Sequence, residues 1–114
     1  MSKSQRDKGA GGERELCALL TDALGTKVTR NLGQARDSGH DVTVPPFHIE
    51  CKRRHRIGNL YDWIMQAIDE NAYHIPTVAL RADGKRWLVV MYLDDWIRIA
   101  REEIVKGDAN GNHD

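Results

Sequence analysis

Three ionisable side chains near the middle of the chain have the types and spacing for metal-assisted chemistry: Asp41, Glu50 and Lys52. Side chains alternate along a β-strand, so Glu50 and Lys52 are predicted to project from the same face of one strand. Pro45 and Pro46 have no N–H group and cannot both lie inside a central strand. They therefore predict a hairpin that returns Asp41 to the side of Glu50.

Two neighbouring carboxylates form a binding site for a hard divalent cation such as Mg²⁺, and Mn²⁺ is expected to substitute for it. Such an ion polarises a phosphate and lowers the pKa of a bound water, while the Lys52 ammonium could position that water or offset developing negative charge. This donor set fits phosphodiester hydrolysis. Alternatively, Glu50 and Lys52 form an ordinary surface ion pair, worth about 1 kcal/mol or less.

A third carboxylate, Glu13, lies at the start of an amphipathic helix predicted over residues 12–24. The apolar positions recur at helical spacing, at Leu16, Cys17, Leu20 and Leu24. Glu13 heads this core-facing stripe, where a charge is costly unless it is paired or bound to a metal. Glu15 lies off the stripe and is expected to remain in solvent. Glu13 is therefore the better candidate for the site.

The elements that must position these groups follow from periodicity and turn residues. The sequence predicts helices over residues 12–24, 59–71 and 94–106, and strands over residues 27–31, 40–44, 47–52, 77–81 and 86–92. Residues 32–39 are predicted to form a loop. The order αβββαββα indicates an α/β fold with a mixed central sheet flanked by helices.

The chain of 114 residues is long enough for one compact domain, residues 1–114, with flexible tails over about residues 1–8 and 107–114. Its formal net charge is zero. That balance argues against a protein that simply coats nucleic acid, although a basic face can still bind phosphates. No segment has the roughly 20 apolar residues of a membrane span, so a soluble, cytoplasmic protein is expected.

Several residues receive a structural interpretation rather than a functional one. Cys17 and Cys51 lack zinc-site spacing and are expected to be buried free thiols. His40 and His48 flank the carboxylates, but neither has metal-ligand spacing with another histidine. The three tryptophans lie in apolar segments and are expected in the core or in a dimer interface.

Three sequence motifs together are similar to those of the archaeal-type Holliday junction resolvases, which are PD-(D/E)XK nucleases. They are KGAGGEREL at residues 8–16, GHDV at residues 39–42 and IECK at residues 49–52. The resemblance covers about residues 8–92. It implies a restriction-endonuclease-like core and a homodimer whose two active sites cut opposing strands. It also implies the catalytic set Glu13, Asp41, Glu50 and Lys52, with the three carboxylates as metal ligands.

The same resemblance implies that Arg14 and Arg30 contact DNA phosphates. The run of residues 52–56 begins at the proposed catalytic lysine and could also hold the DNA backbone. The full set of expected DNA-binding residues is Lys8, Arg14, Arg30, Arg36, Arg53, Arg54 and Arg56. Ser38 is a displaced candidate for a serine that the resolvases carry earlier in this loop, and Gln66 is a candidate auxiliary residue on the second predicted helix.

The sequence therefore predicts a Mg²⁺-dependent, homodimeric endonuclease that resolves four-way junctions in branched double-stranded DNA, with no membrane partner and no small-molecule substrate. One alternative keeps the chemistry and changes the substrate to duplex, flap or mismatched DNA, as in a restriction-like or repair nuclease. The other alternative is a non-catalytic DNA-binding accessory protein of recombination.

Overall fold

The computed structural model describes the backbone of residues 3–32 and 41–109, and the side chains of residues 9–32 and 41–107. Helices α1 (Lys3–Leu24), α2 (Leu60–Met65) and α3 (Leu93–Ala109) alternate with strands β1 (Val42–Val44), β2 (Phe47–Arg54), β3 (Ile75–Ala82) and β4 (Leu88–Met91). The predicted loop over residues 32–39 lies almost entirely outside this range. Within the described residues the order is αββαββα.

The four strands form one mixed sheet in the order β1-β2-β3-β4. β1 and β2 are antiparallel, β2 and β3 are parallel, and β3 and β4 are antiparallel. The predicted α/β fold with a mixed sheet and flanking helices is confirmed. β2, like β3, is hydrogen-bonded on both sides, which makes it a rigid support for reactive side chains.

Two apolar clusters cover the opposite faces of the sheet. On one face, Leu16 and Cys17 of α1 pack with Ile49 and Cys51 of β2. On the other face, the cluster consists of Ile64 from α2 with Val78 and Leu80 from β3. Because side chains alternate along a strand, the side chains at odd-numbered positions of β2 point to the face that α1 covers. The even-numbered positions of β2 are left for the α2 face.

α1 begins at Lys3, nine residues before the predicted start. The apolar stripe that located this helix begins only at Leu16, and the glycines before it do not stop the helix because a glycine costs only about 1 kcal/mol there. Gly12 also has a packing role, since a Cβ added there would lie 2.4 Å from the Cβ of Arg53. The helix therefore continues through the glycines and approaches β2 closely at Gly12. The predicted flexibility of the two chain ends stays a prediction.

The strand predicted over residues 27–31 is wrong. In the described residues this segment has a single bridge, between Arg30 and Val42. The N–H of Val28 donates instead to Oγ1 of Thr21, at 2.9 Å. The segment thus bonds to the preceding helix at Val28, and it reaches β1 through Arg30 and Asn31.

The second helix begins as predicted, with the Asn59 side chain accepting hydrogen bonds from the N–H groups of residues 61 and 62. It ends at Met65 rather than near residue 71. Beyond it, Asp69 Oδ1 accepts from the N–H of Asn71 and Asn71 Oδ1 accepts from the N–H of Tyr73, at 2.8 and 2.9 Å. Such side-chain bonds compete with helical ones, and they stop the helix early.

Glu15 does not simply remain in solvent, as the helical pattern suggested. Its carboxylate accepts hydrogen bonds from Arg81 at 2.9 and 3.1 Å and from Trp87 Nε1 at 2.8 Å. Burial alone would raise the pKa of Glu15, but the bonds from Arg81 and Trp87 bring it below its ordinary value. Glu15 thus ties α1 to β3 and to the residue before β4.

The tryptophans divide between two environments. Trp63 and Trp87 pack partly buried against the two apolar clusters, whereas Trp96 on α3 is 55% exposed. The core interpretation is therefore wrong for Trp96. No described helix is both long and apolar enough to cross a membrane.

Candidate active site

Asp41 is fixed beside β2 by three hydrogen bonds. Its N–H donates to the carbonyl of Ile49 at 2.9 Å, and its own carbonyl accepts from the N–H of Asn31 at 2.8 Å. Its side-chain Oδ2 accepts from the N–H of Cys51, also at 2.9 Å. The turn at Pro45-Pro46 and the pairing of Val42 with Ile49 produce this placement. The predicted hairpin that returns Asp41 to β2 is confirmed.

Glu50 and Lys52 project from the same face of β2, as the alternation predicted. Lys52 Nζ lies 3.8 Å from Glu50 Oε1, and the two side chains are only 10% and 8% exposed. A surface ion pair would be well solvated, so that alternative does not fit the burial of this pair. Burying a lysine and a glutamate is costly and needs a compensating environment.

Residues of and next to α2 surround the Lys52 ammonium. Nζ donates a hydrogen bond of 2.8 Å to Oε1 of Gln66, the residue that caps the end of α2. The ammonium also lies 5.7 Å from the centroid of the Trp63 ring, within the range of a cation–π interaction. Gln66, which the sequence suggested as an auxiliary residue, thus contacts the proposed catalytic lysine directly.

Glu13 is only 4% exposed, as expected for a charge at the head of the core-facing stripe. Its Oε1 accepts a 2.9 Å hydrogen bond from Arg30 Nε. The sequence argument required a partner for a carboxylate in this position, and Arg30 supplies one. The same hydrogen bond uses the Nε–H of Arg30, whose guanidinium was expected to bind DNA phosphate.

The two cysteine thiols lie in surroundings that disfavour the thiolate. Burial raises the pKa of Cys51 well above its ordinary value, and the negative charges of Asp41, Glu13 and Glu50 raise it further. Burial, followed by the charge of Glu13, also raises the pKa of Cys17. Both cysteines are free and buried, as predicted.

The three carboxylates are of the donor type that suits a divalent cation, but among the described residues they are not a group whose ligand atoms all lie within 4.8 Å of one another. Asp41, Glu13 and Glu50 offer carboxylate oxygens, the ligands that Mg²⁺ and Mn²⁺ prefer. All three are buried, and fixed carboxylates held away from bulk water are the usual way a protein attracts such an ion.

Comparison with known protein families agrees with this chemistry. Residues 4–109 match a family described as "Phage putative PDDEXK endonuclease". The chain belongs to this family. Its members carry the PDDEXK nuclease core, which is the fold observed here, and PDDEXK nucleases typically use divalent metals and act on DNA. Neither the curated proteins nor the solved structures gave a match.

The basic residues of this PDDEXK nuclease fall into different environments. Arg14 and Arg56 are exposed. Arg53 Nη1 contacts the carboxylate of Asp83, and the Arg54 guanidinium lies 5.8 Å from the centroid of the Trp63 ring. These two arginines are therefore partly engaged within the protein. Arg36, Ser38 and the Lys8 side chain lie outside the described part of the chain.

One cluster of potential ligands was missed by the sequence analysis. His48 was set aside because no other histidine lies at metal-ligand spacing along the chain. In the fold of this PDDEXK nuclease, Asp69 and His74 reach it from the segment between α2 and β3. The parallel pairing of Phe47 with Ile75 accounts for this placement, because it sets the residue before β3 beside the start of β2.

Proposed function

We propose that this PDDEXK nuclease is a Mg²⁺-dependent endonuclease that hydrolyses phosphodiester bonds of branched DNA, with Mn²⁺ able to replace Mg²⁺. The observation that carries the proposal is the group of buried charges on and beside β2: Asp41, Glu50 and Lys52, joined by Glu13 from α1. A fold gains nothing in stability from burying four such residues in place of apolar ones. A catalytic task explains why they are there.

The three carboxylates, Glu13, Asp41 and Glu50, would hold the metal ion. When bound, the ion supplies Lewis-acid polarisation of the scissile phosphate and a more acidic water. The Lys52 ammonium, kept in place by Gln66, offsets negative charge that develops on the phosphate oxygens or orients the attacking water. Arg30 holds Glu13 in position through its 2.9 Å contact.

We further propose that the substrate is a four-way junction. Support comes from the sequence similarity of residues 8–16, 39–42 and 49–52 to the motifs of archaeal-type Holliday junction resolvases. Exposed Arg14 and Arg56, together with the basic end of β2, offer positive charge for the DNA backbone. Arg36 and Lys8 complete the proposed phosphate contacts from outside the described side chains.

Paired cleavage of a junction needs two active sites, and we propose that a homodimer provides them. β4 and α3 carry large apolar side chains that are 40% or more exposed: Leu88, Val89, Leu93, Trp96, Ile97, Ile104 and Val105. Adjoining apolar side chains in such number are typical of a protein interface. A second copy of this chain packed on β4 and α3 would bury them.

The test is cleavage of a labelled four-way junction, with linear duplex and flap substrates for comparison, in Mg²⁺, in Mn²⁺ and in EDTA. Asp41→Asn and Glu50→Gln should each lower the cleavage rate by at least about 100-fold, because loss of even an outer-shell partner of a metal typically costs 10- to 100-fold. Junction binding should remain, since neither change removes a positive charge. Asp22→Asn and Glu102→Gln, at exposed positions, are the matched controls and should cut at the wild-type rate.

The other outcomes separate the alternatives. Equal cutting of duplex, flap and junction would leave a general PDDEXK nuclease and refute junction selectivity. Metal-independent binding of DNA without cutting by wild type would favour the accessory protein. Wild-type cleavage by Asp41→Asn would refute the metal assignment itself.

A further inference from the structure

A second group of potential ligands lies outside the carboxylate site, at the start of β2. It comprises His48 on the strand, and Asp69 and His74 from the segment between α2 and β3. One ligand atom from each of the three residues lies within 4.8 Å of the others. The two imidazole rings stack with their centroids 3.8 Å apart and their planes inclined by 32°.

Nδ1 of each imidazole lies close to the same carboxylate oxygen. His48 Nδ1 lies 2.9 Å from Asp69 Oδ2, and His74 Nδ1 lies 2.7 Å from it. A tetrahedral zinc ion holds its nitrogen and oxygen ligands at about 2.0–2.1 Å, which separates them by about 3.3 Å. Each nitrogen therefore needs to move from the oxygen by only about 0.5 Å to admit an ion.

The surroundings permit that movement while keeping the ligands oriented. His48 is anchored on the central strand and its side chain is 9% exposed, whereas the side chains of Asp69 and His74 are 23% and 34% exposed. Oδ1 of Asp69 accepts the N–H of Asn71 at 2.8 Å. This bond turns Oδ2 towards the imidazoles, as the outer-shell partner of a metal-binding carboxylate does.

We propose that His48, Asp69 and His74 bind one divalent transition-metal ion of the zinc type, separate from the carboxylate site. Two imidazole nitrogens and one carboxylate oxygen suit Zn²⁺ or Co²⁺ and not Mg²⁺, which prefers oxygen ligands. Protein atoms supply three ligands and water completes the shell. Each ring binds the ion through an unprotonated nitrogen, so a neutral imidazole carries its one proton on the other ring nitrogen and an imidazolium gives up one proton to solvent.

The site would fasten the segment after α2 to the sheet. Asp69 and His74 belong to the irregular segment that leads into β3, whose first residue, Ile75, pairs with Phe47 of β2. An ion coordinated by all three residues ties this segment to β2 at a second point. A ligand that binds only the folded state stabilises it in proportion to the logarithm of its concentration. At a free Zn²⁺ concentration 100 times the Kd, Tm should therefore rise by on the order of 10 °C.

The experiment is titration of the metal-free full chain with Zn²⁺ by calorimetry, and with Co²⁺ by visible absorption. Wild type should bind one equivalent at this site, with a tetrahedral cobalt spectrum that lacks sulfur-to-metal charge transfer. His74→Gln and Asp69→Asn should weaken Zn²⁺ binding by at least about 100-fold, since each removes a direct ligand. Asp41→Asn should retain this equivalent, because it alters only the carboxylate site.

His55→Gln is the matched control, since His55 also contacts an aspartate, Asp83, at 2.9 Å but is 75% exposed and lies outside the cluster. It should bind Zn²⁺ as wild type does. Thermal denaturation in EDTA shows whether each variant folds, and His74→Gln at its partly exposed position provides a folded variant if Asp69→Asn does not. Absence of Zn²⁺ binding to wild type, equal binding by His74→Gln, or displacement of Zn²⁺ by millimolar Mg²⁺ would overturn the proposal.

Discussion

Replacement of Gln66 by alanine tests whether the Lys52 ammonium must be held in place for cleavage. Gln66 Oε1 accepts a 2.8 Å hydrogen bond from Lys52 Nζ. Hydrogen bonds to charged groups contribute about 1.5–3 kcal/mol. Gln66 itself is exposed, which favours the lower end of that range. Since about 1.4 kcal/mol corresponds to a factor of ten in rate, Gln66→Ala should slow cleavage roughly tenfold.

The assay is single-turnover cleavage of the labelled junction at saturating protein, with junction Kd measured separately in EDTA. A positioning role predicts a lower rate constant with an unchanged Kd. Met65→Ala, at the neighbouring exposed position on α2, is the control and should cut at the wild-type rate. A wild-type rate constant in Gln66→Ala would show that Gln66 does not position Lys52. A weaker Kd with an unchanged rate constant would place Gln66 in the DNA-binding surface instead.

Two further predictions concern α1 and need only thermal or denaturant unfolding. The pKa of Glu15 is lowered from 4.5, so its contribution is present above that pH and is lost as the pH falls through the folded-state pKa. Glu15→Gln should therefore cost about 1 kcal/mol or less of stability at pH 7, because the side chain is 39% exposed. The difference in stability from wild type should shrink below pH 4.5, and exposed Glu102→Gln should show no such pH dependence. A difference that stays constant across pH would exclude the ionised carboxylate as its source. Gly12→Ala should destabilise the fold by about 1–3 kcal/mol, because the new Cβ would lie 2.4 Å from that of Arg53. In Gly11→Ala the new Cβ meets nothing within 4 Å, so this control should stabilise the fold by about 0.5–1 kcal/mol. Equal effects of the two changes would refute the close approach of α1 to β2.

The parts of the fold that short-range rules control could be predicted from the sequence. Alternation along β2 placed Glu50 and Lys52 on one face, and the proline pair placed Asp41 beside them. The helical stripe of α1 identified Glu13 as a buried charge. These inferences depend on neighbours within one strand, one turn or one helix, where periodicity is informative.

What the sequence could not supply depends on contacts between distant segments. The partners of Glu15 lie 66 and 72 residues away, and no periodic pattern relates them. His74 reaches His48 only because β2 and β3 pair in parallel, a topology that spacing along the chain does not reveal. The early end of α2 was missed because side-chain bonds at Asp69 and Asn71 compete with the helix, an effect that propensity does not capture.

The burial of both cysteines has a practical consequence for labelling this protein. Thiol reagents attack the thiolate, and the raised pKa values of Cys17 and Cys51 keep both residues in the thiol form inside the apolar cluster under α1. The chain has two cysteines in all. A single cysteine introduced on the surface would therefore carry a fluorophore or spin label site-specifically in the otherwise native sequence. The Cys51 thiol would react only when the apolar cluster under α1 opens, which makes it a built-in reporter of the packing of α1 on the sheet.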